Sequence, residues 1–592
     1  MFSYIHTLSL RKLIAIFCIV GFLTYLSSFW NQFVWDDDHF FYQNILTQNL
    51  SHIKEIFLTN TTAGAGVESN YYRPIATLSF AIDHAIWGWN PFSLHLVTTV
   101  FHILNGVLFF LLLLKLRFGK TAAFLIGMIF LIHPIQTEAV TYLSDRGDVL
   151  YMFFLLVSLY VFTLTLYETQ IVRKFFGKKI VVPKNILLLL AVVLFPISIL
   201  SKEGALTTSP LYIGILILFA VQQKIDFYTL HRKYRSHFLV ILCIILISLI
   251  YFGLRLTVLN FGNSLNYSGE QGVYGTHVTV RLLTFLKTIP IYIRLLLIPY
   301  PLYLERTTKV VTSLLDPYVL VSIALIVLSI FLGYIELLKQ KTVWIFFSLI
   351  LIFSNLASVS GIIPMTGLLR ENWLYMPMVG FFIIIFTVIR MFFVTTFQSK
   401  QVIWARILAI VSLVYIGMTI QQNYNWRDRI AYFEHNLQFT NTARLHLNLG
   451  NAYIGKGEYD KAFGHLQQAV KIADFYPQTH YNLGSVYLYR KDFPMAEKEF
   501  LKSLAMSPTF LFAYAPLILI YEHDHQYAKA LLYLSRLNQI YPSDLKLTVL
   551  FGNDLYENGQ REQANIQFTK AVQLSHNDQK LIKAIAQTKG KK

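Results

Sequence analysis

The sequence predicts an all-α protein in two parts, a polytopic membrane module of about eleven helical spans followed by a solenoid of paired helices. Three observations predict it. The 592-residue chain is 55% hydrophobic and 16% aromatic, far too apolar for a water-soluble domain. Hydrophobic runs of membrane-spanning length recur from the N-terminus to about residue 425. Beyond that point the composition turns polar and a 34-residue repeat begins. The expected domains are therefore residues 1–425 and 442–592.

The formal charge of +18 divides into +13 over residues 1–440 and +5 over 441–592. Most of the excess lies between apolar runs, where the positive-inside rule places it, so it does not indicate a nucleic-acid partner. Cys18 and Cys243 both sit inside apolar runs, and neither a disulfide framework nor a cysteine metal site is indicated. The first run, Leu13 to Trp30, lacks a small-residue cleavage site and reads as a retained anchor.

Candidate spans begin near residues 12, 94, 121, 149, 185, 206, 237, 316, 343, 374 and 404. A further run, Leu282 to Pro299, is interrupted by Lys287, Pro290 and Arg294, and is expected to re-enter or lie on the surface. With the N-terminus inside, eleven spans leave 19 Lys/Arg against 3 Asp/Glu in the inner loops of residues 1–440, and 13 against 16 outside. The inner groups are Arg11-Lys12, Arg117 to Lys120, Arg173 to Lys184, Arg232 to Arg235, Lys339 to Lys341 and Lys400 to Arg406. A twelfth crossing at Leu282–Pro299 would put Lys339, Lys341, Lys400 and Arg406 outside. The asymmetry favours eleven and places the C-terminal region outside.

On this topology the unusual polar clusters share the outer face. They are Asp36 to Asp38 with His39, Tyr71-Tyr72-Arg73-Pro74, His133-Pro134 with Glu138, Asp145-Arg146-Gly147-Asp148, Ser201-Lys202-Glu203-Gly204 and Arg370-Glu371-Asn372. Any one charged pair at a membrane border is more often a snorkelling or structural ion pair than a site. Their common side makes one outer cavity the better joint reading. Adjacent carboxylates raise one another's pKa, which suits a proton acceptor near neutrality. Arg73, Arg146, Lys202 and Arg370 would supply the positive charge that an anionic lipid phosphate needs.

In the tail, Leu449-Gly450 and Tyr453 recur 34 residues later as Leu483-Gly484 and Tyr487. Ala462, Ala496, Ala530 and Ala564 keep that interval, and so do Pro508 and Pro542. This is the tetratricopeptide (TPR) pattern, with four registers, the third carrying Ile518 in place of glycine, and a capping helix expected near Asp578 to Ala586. Such a superhelix presents a concave groove to peptides or partner proteins.

The order of parts resembles the transmembrane and TPR-containing O-mannosyltransferase-like proteins, within the GT-C glycosyltransferase superfamily. Phe33-Val34-Trp35-Asp36-Asp37 is similar to the family's acidic motif in the first outer loop, and Asp36 to Phe40 is similar to the Asp-Glu-x-His-Phe signature of protein O-mannosyltransferases. Tyr72-Arg73-Pro74, His133-Pro134 through Val140, Arg146-Gly147-Asp148, Lys202-Glu203 and Arg370-Glu371-Asn372 with Tyr375 look like further family blocks. The acidic pair of the family is here a triplet. The resemblance implies transfer of a sugar from a polyprenyl-phosphate carrier to an acceptor, a protein hydroxyl, on the outer or lumenal side.

In that chemistry Asp36 or Asp37 is the expected base, Asp36 being preferred by alignment with the signature, and the cations stabilise the departing phosphate. Asp38, His39, Glu138, Asp148 and Glu203 are expected in supporting roles, and a structural role for His39 and His133 is the simpler one. No metal-ligand spacing stands out; a divalent ion bridging Asp36 and Asp38 is compatible but not favoured. A TPR scaffold without catalysis would not need eleven spans with clustered acids and bases, and a transporter would show inverted repeats and midplane charges. The expected home is a bacterial inner membrane with a periplasmic tail, or an endoplasmic reticulum membrane with a lumenal one.

Overall fold

The structure is a computed structural model describing residues 2–590 except 68, 169–170, 176–177, 262–269, 305, 307, 364, 366, 394–400 and 576–577. Lys400, expected in an inner loop, lies outside the described residues. The chain divides into two compact units, Met1–Tyr432 and Phe433–Lys592.

In the first unit, eight helices are long and apolar enough to cross a membrane: Leu10–Trp30, Pro91–Lys115, Leu143–Tyr167, Lys184–Ser201, Glu203–Gln223, Arg235–Leu256, Pro317–Gln340 and Val402–Asn425. A ninth is the pair Lys120–Ile132 and Pro134–Thr141, bent by 53°. Pro134 explains the break, because its ring excludes the helical hydrogen bond and pushes His133 into extended backbone. Two shorter apolar helices, Trp344–Val359 and Pro377–Phe392, occupy the remaining two predicted places. These are the helices of a multi-pass membrane protein. Local chemistry sets their starts: the Asn90 and Asp316 side chains cap helices that open on Pro91 and Pro317.

Packing within this unit is by aromatic rings over small residues. Phe17 lies 5.6 Å from Phe110 and 5.3 Å from Phe124, ring centre to ring centre. A Cβ at Gly127 would stand 2.9 Å from Phe17 and 3.1 Å from the Gly106 carbonyl. Glycine there lets three helices close without a hydrophobic drive between them.

Hydrogen bonds sort the helix ends into two faces. On one, Lys120 Nζ donates to the carbonyls of His6 and Leu8, Lys115 pairs with Glu168, and Phe118 packs on Trp344. On the other, Asn31 Nδ2 donates to Asn423 O, the Gln32 N–H donates to Arg427 O, and Arg255 donates to Asn70. The first and last spans therefore end together.

Helix Val278–Leu297 contains the interrupted run. Arg281, in its first turn, donates to Gly361 and Ile362, in the loop beyond Trp344–Val359. At its far end the Leu296 carbonyl accepts from His133 Nε2. The Tyr415 hydroxyl, inside the last span, also reaches the Leu297 carbonyl at 3.2 Å. The inward residues of Val278–Leu297 include Arg281, Thr284 and Thr288, while Leu282 and Leu297 are exposed. Val280, Leu295 and Leu296 are buried with them, and Arg294 is exposed.

One element was not expected. Ile171–Phe175 and Lys178–Val182 form an antiparallel hairpin with Arg173 opposite Ile180. The charges of this segment suggested an inner loop, but β-branched residues at 171, 172 and 180–182 favour strands.

The second unit stacks paired helices: Ala443–Lys456 with Tyr459–Ile472, Pro477–Tyr489 with Phe493–Met506, Tyr514–His523 with Tyr527–Ile540, and Leu545–Glu557 with Arg561–Leu574, followed by Gln579–Gly590. Ala462, Ala496, Ala530 and Ala564 are all fully buried. A Cβ on Gly484 would meet the Phe500 ring at 2.7 Å, so the repeat's glycine is set by helix contact.

Candidate active site

The acidic stretch leaves the first span as extended chain and turns sharply at Trp35, whose φ is +52°. Asp37 closes the turn. Its Oδ2 accepts from the Val34 N–H at 2.9 Å, and its Oδ1 accepts from the N–H and Oγ of Ser144 at 3.0 and 2.6 Å. Only 1% of Asp37 is exposed. Burial pushes its carboxyl up to about 7 against the pull of the Ser144 and Val34 hydrogen bonds, with Asp36 adding a smaller push. Asp36 is half-buried, and its N–H donates to the Tyr142 hydroxyl at 3.3 Å. Asp38 is ion-paired with Arg429 at 2.6 Å, and His39 is exposed.

Tyr142 joins this loop to the cations. Burial raises its phenol well above the ordinary value, and Asp36, Asp37 and Asp145 raise it further, while Arg370 opposes them. Asp145 is the hub. Asn372 Nδ2 donates to Asp145 at 2.9 Å and to Asp148 at 3.1 Å, and Lys202 Nζ lies 3.7 Å from Asp145 and 2.5 Å from Asp148. Arg370 pairs with Glu138 at 3.4 Å, whose other oxygen accepts from the N–H groups of Glu371 and Asn372. Arg73 pairs with Glu203 at 3.0 Å, and Glu203 also accepts from the Tyr72 N–H. Burial alone would lower both guanidinium groups. Glu203, Tyr71 and Asp145 outweigh it at Arg73, and Glu138 and Asp145 do so at Arg370, so both stay above their ordinary values as fixed cations.

One expected residue falls out of the set. Arg146 is fully buried, with Nη1 on Asp83, Nε on Thr98 Oγ1, Nη2 on the Leu94 carbonyl, and its guanidinium 4.1 Å above the Phe80 ring. Its donors are used inside the protein, so it supports the fold and does not offer its charge to a ligand. Arg73, Lys202 and Arg370 retain 10%, 13% and 30% side-chain exposure. His133 is likewise structural: Nδ1 accepts from the Ile135 N–H and Nε2 donates to the Leu296 carbonyl.

Three residues were not singled out by sequence, Tyr142, Arg306 and Arg429, and Asp145 was named only as part of its cluster. Asp145 and Tyr142 lie in or beside a quoted motif, so their signal was present but unweighted. Arg306, paired with Glu371 at 2.7 Å, and Arg429 belong to no repeated or motif-like cluster and carried none. Among the described residues no group of three or more His, Cys, Asp or Glu could hold a metal. An ion bridging Asp36 and Asp38 would also have to displace the Arg429 guanidinium. The arrangement can take a proton on a carboxylate while an array of fixed cations stabilises an anion.

A tetratricopeptide-repeat family model matches residues 440–509. The chain is 25% identical over 477 residues to the protein O-mannosyl-transferase TMTC3 of Mus musculus, covering 74% of this chain and 48% of that one. It is 24% identical over 533 residues to TMTC3 of Homo sapiens, covering 83% and 55%. The chain is a relative of these proteins. It is also 22% identical over 475 residues to the protein O-mannosyl-transferase F38B6.6 of Caenorhabditis elegans, covering 78% and 62%. The chain thus spans about half the length of the curated relatives it matches. A crystal structure of the MamA protein aligns with 25% of the chain at 22% identity and a TM-score of 0.23, too low to add to the argument.

Proposed function

We propose that this chain is a membrane glycosyltransferase of the O-mannosyltransferase type, moving a sugar from a polyprenyl-phosphate carrier to a protein hydroxyl. The observation that carries the reading is that Asp36 and Asp37 contact Tyr142 and Ser144, next to Asp145 and its partner Lys202, with Arg73 and Arg370 close enough for Asp145 to act on their charge. Similarity to named O-mannosyl-transferases over most of the chain supports it.

Asp36 takes the acceptor hydroxyl proton as the acceptor oxygen bonds to the anomeric carbon with inversion. The bond from that carbon to the phosphate oxygen breaks, and its electron pair leaves with the polyprenyl phosphate. Negative charge builds on that oxygen, so nearby cations stabilise the transition state more than the ground state. Glu203, Asp148 and Glu138 hold Arg73, Lys202 and Arg370 in place. Asp37, enclosed by three hydrogen bonds, braces the loop that presents Asp36. The 34-residue repeats supply a groove for the acceptor polypeptide. No divalent ion is needed in this scheme. The face bearing Asp36 is periplasmic in a bacterial inner membrane or lumenal in an endoplasmic reticulum membrane.

The test is transfer of radiolabelled sugar from polyprenyl-phosphate donors in membranes with matched expression. Asp36→Asn keeps size but loses the basic oxygen, and it should lose roughly 10²–10⁴ in rate. Near-normal transfer would move the base to Asp37. Near-normal transfer by Asp36→Asn, Asp37→Asn, Asp38→Asn and the triple variant would end the catalytic reading of this stretch.

A further inference from the structure

Residues 427–432, just past the last span, lie across the acidic loop. The Gln32 N–H donates to the Arg427 carbonyl at 2.8 Å. Arg429 reaches the loop twice, with Nη2 on Asp38 Oδ2 at 2.6 Å and Nε on the Phe33 carbonyl at 3.3 Å. The Tyr432 ring meets Trp35 edge-on at 5.8 Å. Behind it, Tyr432 packs on Trp426 at 4.4 Å, and Trp426 stacks on Tyr142 at 5.3 Å. Tyr142 takes the Asp36 N–H, so loop, strap and Tyr142 form a closed ring of contacts.

We propose that Arg429 is a positioning residue that holds the carboxylate loop in register through Asp38 and the Phe33 carbonyl, and so aims Asp36. The proposal rests on the reading of Asp36 as the base. Two physical arguments carry it. Trp35 sits in the left-handed region, which a bulky side chain adopts only where surrounding contacts over-determine it. The strap supplies contacts on both sides of that residue, at Phe33 and Asp38. Second, the Arg429–Asp38 pair is 36% and 18% exposed on its two sides. An ion pair so open to water adds little to global stability. Its consequence is geometric, because one guanidinium with two differently directed N–H groups ties a carboxylate to a carbonyl. A lysine ammonium at 429 is a point charge and cannot hold both directions.

The experiment uses the full chain in detergent or liposomes, with amide hydrogen exchange over residues 32–40 and sugar transfer measured on the same samples. Arg429→Ala is expected to speed exchange in that window and leave the thermal midpoint of the membrane unit in place. It should lower kcat about ten- to a hundredfold, the cost of a misaimed group, with donor KM unchanged. Arg429→Lys should recover part of the loss. Asp38→Asn combined with Arg429→Ala should lose no more than Arg429→Ala alone, because Asp38 acts through Arg429. Unchanged exchange at 32–40, or fully additive losses, overturns the proposal. Faster exchange in a chain whose wild type transfers no sugar keeps the strap and removes the transferase reading.

Discussion

The three adjacent aspartates are chemically equivalent in the sequence and distinct in the fold. Asp37 is enclosed, Asp38 is salt-bridged, and Asp36 lies half-buried between them. The carboxyl of Asp37, raised to about 7 mainly by burial, holds its proton more tightly folded than unfolded. Stability therefore falls as pH rises from about 4 to about 7, and the cost of ionising it is complete above that window. The same shift separates the two candidate bases. Ser144→Ala removes a hydrogen bond that lowers the Asp37 pKa, so Asp37 alone would titrate at higher pH. With Asp36 as base, the acid limb of the transfer rate against pH should not move upward in Ser144→Ala. An upward shift would assign the base to Asp37. The motifs made the acids and most of the cations legible. They could not show that Arg146 is consumed by Asp83, Thr98 and Leu94, because Asp83 and Thr98 sit in other apolar helices with no local pattern pointing at residue 146. Arg429 was invisible for the converse reason: its meaning depends on a contact 391 residues away.

Among the elements, the repeats were the most legible, since period, glycine and alanine all follow from nearest-neighbour contact. What the period hides is that one position changes chemistry between turns. In the first repeat, His446 and His465 face each other with Nδ1 atoms 3.0 Å apart. Thirty-four residues on, His480 lies between Glu499 and Asp474, each at 2.6 Å. Burial lowers both His446 and His465; the charge of His465 lowers His446 further, and Glu434 only partly offsets burial at His465. His480 moves the other way: burial would lower it, but its two carboxylates outweigh that and raise it. The signs then oppose. The His480 clamp is fully present below the unfolded histidine value and fades as pH rises through its raised folded one. The His446–His465 pair costs nothing while neutral and weakens the first repeat as pH falls through the ordinary histidine range. Lowering pH from about 7.5 to about 5.5 should therefore reduce amide protection in helices Ala443–Lys456 and Tyr459–Ile472. Protection in Pro477–Tyr489 and Phe493–Met506 should hold. Hydrogen exchange corrected for intrinsic rate checks this, and equal losses in both repeats would refute it.

Over the whole membrane unit, topology was argued from loop charge alone, and the weakest link was Leu282–Pro299. The ends of the first and last spans constrain the parity independently of charge. The first span ends where Asn31 meets Asn423 and Gln32 meets Arg427, so the first and last spans point the same way. That alignment requires an odd number of crossings, which holds with eleven apolar segments if Val278–Leu297 stays on one side. It is tied to Gly361 at one end and to His133 at the other. Glu336, near the end of Pro317–Gln340, accepts from the N–H groups of Trp344 and Ile345, and Trp344 packs on Phe118. Lys341 therefore belongs to the face of Lys120, opposite the acidic loop. Reporter fusions after Lys341 and after Gly450 should land on opposite sides, with the Lys341 fusion on the cytoplasmic side as its basic flank demands. A charge-based error would leave the two fusions opposite but exchange the sides. A crossing by Val278–Leu297, upstream of both points, would likewise exchange the sides. Both fusions on the same side would mean that one of Trp344–Val359 and Pro377–Phe392 does not cross, and the site would lose its common face.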